Sequence, residues 1–136
     1  MMAGPTHYCW SCYAAVAAAA GLCPHCGGRM EAPPGTGYAD RLLWALDHPL
    51  VERRMVAIQV LAARREVRAV DRLTRLARSH RDPYLAAAAV AAVVSIAGEQ
   101  ASADLLAELA EHAPAPVRRT VRKLRGHHED GKEVGG

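Results

Sequence analysis

The chain has 136 residues, a formal charge of +3, no Phe and a great excess of Ala. That length holds one ordinary domain, or a small domain plus a metal-stapled module that needs no large core; the second is the reading adopted. Low side-chain bulk means that close helix packing has to supply the core. No segment qualifies as a membrane span. Residues 13–22, YAAVAAAAGL, are not a secretory leader because no basic residues precede them and cysteines flank them. The expectation is a soluble cytoplasmic protein, where reduced thiols make metal a better fate for four Cys than disulfides.

Residues 1–31 carry the cysteines. Cys9-Trp-Ser-Cys12 and Cys23-Pro-His-Cys26 give C-x2-C-x10-C-x2-C. Two residues between thiolates let one tight turn aim both sulfurs at a single ion, and four thiolates close a tetrahedral zinc site with no open position. Cys9, Cys12, Cys23 and Cys26 are therefore the expected ligands of one structural Zn2+. Pro24 and the pair Gly27-Gly28 suit the second knuckle, where backbone N–H groups turn toward the sulfurs. These residues resemble the short zinc-ribbon family found at the ends of many bacterial proteins, whose pattern is CPxCG, ten residues, CPxCG. The first knuckle departs from it, reading CWSCY, and the spacer is Ala-rich. A hairpin and a turn of helix over Ala14–Ala20 are both open for that spacer.

Residues 32–37, APPGTG, form a Pro/Gly linker that neither helix nor strand can use. Beyond it, six helices are predicted at 38–47, 50–63, 67–79, 83–97, 103–112 and 116–125. The fourth is central: DPYLAAAAVAAVVSIAG carries no charged side chain between Pro83 and Ala97, so other helices must cover it. Asp82 is its expected N-cap, Pro83 suits its first turn, and Gly98 ends it in a left-handed conformation. Pro49, Pro83 and Pro116 are spaced by 34 and 33 residues, and Leu73 and Leu76 align with Leu106 and Leu109 at a period of 33. Two helices per such period indicate an α-solenoid. The openings DHPLVERRMVA, DPYLAAAAVAA and PVRRTVRKL resemble the first helix of the HEAT-like family in its short bacterial form. The fold class expected is thus mostly α: a small N-terminal zinc ribbon plus a short solenoid of paired antiparallel helices over residues 38–125. The remaining residues, 126–136, are expected to be a disordered tail after Gly126.

Three further patterns bear on function. His48, His80 and His112 recur every 32 residues near helix C-termini, where they fit dipole and carbonyl contacts better than a shared metal. From Val51 to Arg81, nine arginines face three carboxylates, a local +6. Among them Arg65, Arg68, Arg72 and Arg75 form one stripe on the third helix, readable as a solvated face or as a basic ridge for a partner. As a solvated face, reversing Arg68, Arg72 and Arg75 to Glu is expected to cost within about 0.5 kcal/mol each. No aromatic residue interleaves the stripe, so base stacking is not supported.

No Ser/His/Asp set, phosphate-binding Gly loop or open metal site is present in the sequence, and no small-molecule substrate or enzymatic activity is expected. The leading expectation is an interaction or adaptor protein presenting its helical surface to a protein partner. The alternative is association with nucleic acid or a ribonucleoprotein through the ridge and the ribbon.

Overall fold

The structure is a computed structural model that describes residues 7–9, 11–16, 21–30, 36–79 and 81–134, with the side chains of 127–134 left aside. Two short strands, β1 (His7–Tyr8) and β2 (Ala15–Val16), pair antiparallel, with His7 opposite Val16 and Tyr8 opposite Ala15. Among the described residues six α-helices follow: α1 (Tyr38–Ala45), α2 (Val51–Ala63), α3 (Val70–Ala77), α4 (Pro83–Ala97), α5 (Ala103–His112) and α6 (Ala115–Val134). A 3-10 turn, Val67–Ala69, leads into α3. Among the described residues no helix is long and apolar enough to cross a membrane.

The boundaries follow from local chemistry. At α1, the Asp40 carboxylate reaches back and accepts the Gly37 N–H at 3.0 Å, satisfying one of the N-terminal donors. At α4, Asp82 Oδ1 accepts the N–H groups of Tyr84 and Leu85 at 3.1 and 3.0 Å, and Pro83 occupies the first turn. Gly98 closes the helix at φ +92° and ψ 157°, a region open to glycine alone, with its N–H on the Val94 carbonyl. Its conformation is extended in ψ, so it differs from the left-handed cap expected. Arg64 and Arg65 end α2; Arg65 takes the left-handed position at φ +52°.

The core validates the central place of α4, which packs against α2, α3 and α6. Leu85, Ala86, Ala89, Val90, Ala92 and Val93 are buried, while Tyr84 at its start is 69% exposed. Around it Leu46, Ile58, Leu61, Leu73, Leu106, Val117 and Val121 are fully buried in one continuous cluster. Small side chains on α4 let three helices approach one axis, and the Leu and Val side chains of those helices fill the space between. Two layers result. One holds α2, α4 and α6 in succession; the other holds α1, α3 and α5, cross-linked by ion pairs from Arg68 and Arg78, which flank α3.

Of the two readings open for the spacer, its start follows the hairpin, because Ala15 and Val16 are strand; residues 17–20 lie outside the described set. One expectation needs correction. The last helix does not stop at Gly126, since α6 continues to Val134. A single Gly costs a helix only about 1 kcal/mol relative to Ala, and no proline or cap follows it to force a stop. The expected linker lies largely outside the described residues, as do Trp10 and His80.

Candidate metal centre

The two cysteine knuckles are the same turn built twice. In the first, the Tyr13 N–H donates to the Cys9 carbonyl and the Cys9 N–H to the Ala14 carbonyl, at 2.8 and 3.1 Å. In the second, Gly27 N–H donates to Cys23 and Cys23 N–H to Gly28, at 2.9 and 2.7 Å. Each turn ends on a left-handed residue at the equivalent place, Tyr13 at φ +61° and Gly27 at φ +76°. The isolated bridge Leu22–Arg29 closes the second turn as the β1–β2 pair closes the first.

This folding brings the four sulfurs together. All four Sγ atoms lie within 4.8 Å of one another, with Cys9–Cys26 and Cys12–Cys23 both at 3.7 Å. A tetrahedral ion with metal–sulfur bonds of about 2.3 Å requires sulfur–sulfur edges of about 3.8 Å, which two of the pairs meet and which the whole set approaches. Backbone N–H groups already point at sulfur, His25 to Cys23 and Gly28 to Cys26, each at 3.4 Å. Cys9 and Cys23 are buried and Cys12 and Cys26 exposed.

The crowding of sulfurs shows in their acidities. The Cys12 backbone N–H, against burial, lowers Cys9 to about 7, and the Cys26 backbone N–H chiefly lowers Cys23. Cys12 is pushed up to about 11, because the downward pull of the Ala14 backbone N–H is outweighed by burial and by the neighbouring thiols.

Tyr13, standing where the other knuckle has glycine, is the residue that sequence reasoning passed over. Holding a tyrosine left-handed costs on the order of 1 kcal/mol, and the side chain offsets that cost by docking the cluster on the helices. Its hydroxyl donates to the Trp44 carbonyl in the last turn of α1. Tyr13 and Tyr8 pack against the His48 ring, with centroids 5.3 and 4.6 Å away. His48 is only 7% exposed, and its Nδ1 accepts the Leu50 N–H at 3.0 Å. The sequence signal was present: an aromatic residue in a position that a tight turn gives to Gly. His48, which follows the end of α1, is thus also a packing platform, whereas His112 at the end of α5 is exposed beside Glu111.

Burial, with Arg53 and Arg54 nearby, lowers the His48 pKa below 6.5. The folded state therefore favours neutral imidazole: its contribution is complete above 6.5 and is lost as pH falls through the lowered value. In an NMR titration the His48 midpoint should lie below 6.5 and move back toward it in a Tyr8→Ala, Tyr13→Ala chain. An unchanged midpoint would show that the two rings do not cover it.

The arginine stripe stays largely exposed, Arg72 alone being half-buried, but two of its members are paired. Arg68 donates to Asp40 and Glu66, both at 3.0 Å. Arg72 donates to the Leu43 carbonyl at 2.6 Å and pairs with Asp47. Arg78, outside the predicted stripe, pairs with Glu108 on α5 at 2.8 Å. The Gly37 N–H and the Arg68 side chain lower Asp40, and the Arg68 side chain chiefly lowers Glu66. Arg65 serves the left-handed end of α2, and Arg75 has no ion-pair partner among the described residues. Two of the three arginines expected to be freely reversible thus fasten α3 to α1. Arg68→Glu and Arg72→Glu would set like charges against Asp40 and Asp47, so the triple reversal costs more than a solvated face would.

These features define the class: a helical-repeat protein with a four-thiol cluster, at metal-binding distance, docked on its first helix. The profile of the HEAT repeats family matches residues 39–124, and the chain belongs to that family. No curated protein and no solved structure gives a significant match to the chain.

Proposed function

We propose that the chain is a non-enzymatic adaptor that presents its HEAT-repeat surface to a protein partner, with one structural Zn2+ held by Cys9, Cys12, Cys23 and Cys26 in an N-terminal zinc ribbon. The observation that carries the adaptor reading is the family match over residues 39–124, since stacked repeats expose extended surfaces suited to binding. The four-sulfur geometry supports zinc as a staple: every tetrahedral position is taken by the protein, which leaves none for a substrate. Use of Arg68, Arg72 and Arg78 within the fold favours a protein partner over nucleic acid, because a phosphate backbone would have to compete with Asp40, Asp47 and Glu108 for the same guanidinium groups.

Capture from the native cell tests the reading. The full chain is immobilised, and bound material is challenged with nuclease and with excess unrelated DNA and RNA. Retention of a defined protein through both treatments is expected. Release by nuclease, or displacement with a steep salt slope, would establish the nucleic-acid reading instead.

A further inference from the structure

Where α1 passes into α2 and α3 into α4, two adjoining recesses of about 310 and 300 Å³ share Leu46, Asp47 and Leu76 and form one open groove. Its apolar surface comes chiefly from the half-buried Leu76, with Leu46, Leu85 and Ala86 buried beneath. Its rim is basic: Arg72 and Arg75 stand at one end, Arg54 and Arg81 at the other. Four guanidinium groups face two carboxylates, Asp47 and Asp82, a balance of +2. Both carboxylates are already committed, Asp47 to Arg72 and Asp82 to the first N–H groups of α4. Arg54, Arg75 and Arg81 therefore have no ion-pair partner among the described residues. The Arg54 Nε is buried and donates to nothing. That atom is closed to solvent, so a groove ligand meets the terminal nitrogens of Arg54, with which a carboxylate pairs side by side.

We propose that this groove binds an acidic peptide segment carrying an apolar side chain, the apolar group seated over Leu46 and Leu76 and its flanking carboxylates on Arg54, Arg75 and Arg81. The proposal rests on the adaptor reading and names the chemistry of its partner. A nucleic acid suits the groove less well, because the floor would meet sugar or phosphate with apolar groups and the lining offers no aromatic ring for stacking. A second basic recess, beside Arg118, Arg122 and Arg125 on α6, has no carboxylate in its lining and serves as the control for charge alone.

The probe is an array of peptides that combine Glu and Asp runs with one central Leu, Phe or Ala, exposed to the full zinc-loaded chain. The strongest member is then titrated by fluorescence anisotropy. Peptides with Leu or Phe should bind more tightly than those with Ala. Arg54→Gln with Arg81→Gln should weaken binding roughly tenfold, and Arg75→Gln alone about threefold. Arg75 and Arg81 are exposed, so their single variants keep the test open if the Arg54 variant does not fold. Arg118→Gln with Arg122→Gln should leave binding unchanged. The proposal falls if that control pair weakens binding equally, if Leu confers nothing over Ala, or if oligouridylate displaces the peptide and binds more tightly. Should the Arg54→Gln, Arg81→Gln chain retain the same cellular protein as the parent, the adaptor reading stands and the groove is not its site. If neither chain retains any protein, the adaptor reading fails and the groove proposal with it.

Discussion

Chelation should release one zinc ion per chain and unfold residues 7–30, leaving helical circular dichroism nearly unchanged. The cysteine segment has little else to hold it: among the described residues, two strands of two residues each, and Cys9, Val16 and Cys23 as its only buried apolar residues. A segment of that size does not fold without a staple, and binding energy for a structural zinc is on the order of 10 kcal/mol or more. The helical core is separate. Its buried cluster runs from Leu42 to Val121 and contains no ribbon residue, so its stability does not depend on the metal. The contacts that do depend on it are the Tyr13 hydroxyl on the Trp44 carbonyl and the two tyrosine rings on His48. Chelation should therefore also carry the His48 titration midpoint back toward 6.5. Zinc is counted with a colorimetric chelator and helicity followed in parallel. Absence of zinc, or collapse of the helical signal on its removal, would refute the staple.

The difference between what was legible in the sequence and what was not is one of range. The all-apolar run Pro83–Ala97, its Asp82 cap and the cysteine spacing are local patterns, and each determined its element directly. The role of the arginine stripe is not local. The i, i+3, i+4 spacing shows that Arg68 and Arg72 point away from Leu73 and Ala77, but not that α1 stands beside them. Arg68 meets Asp40 across 28 positions of chain and Arg72 meets Asp47 across 25, distances over which helical periodicity carries no information. Tyr13 is intermediate: the left-handed turn follows from its knuckle, while the partner of its hydroxyl depends on how the ribbon sits on α1. The groove of Arg54, Arg75 and Arg81 joins three elements and was invisible for the same reason.

Ala89→Glu is expected to be the most damaging single substitution in the helical part. Ala89 has no exposed surface and lies in the middle of α4, within the cluster to which α2, α3, α5 and α6 all contribute. Two costs add there. The longer side chain needs space that closely packed helices do not have, which by itself costs about 1–3 kcal/mol. The carboxylate, in addition, must either lose its water without a partner or take up a proton, at a further cost of several kcal/mol. A domain of this size is stable by about 5–15 kcal/mol and loses about 4–8 °C of melting temperature per kcal/mol. The variant should melt at least 20 °C below the parent by that scale, or fail to fold. Ala89→Leu separates the two costs, since it adds bulk without charge and should lose only the smaller amount. Ser95→Glu, exposed on the same helix, should stay within about 0.5 kcal/mol of the parent and so shows that a carboxylate on α4 is harmless where water can reach it. Equal melting of Ala89→Glu and Ser95→Glu would mean that α4 is not the axis about which the other helices pack.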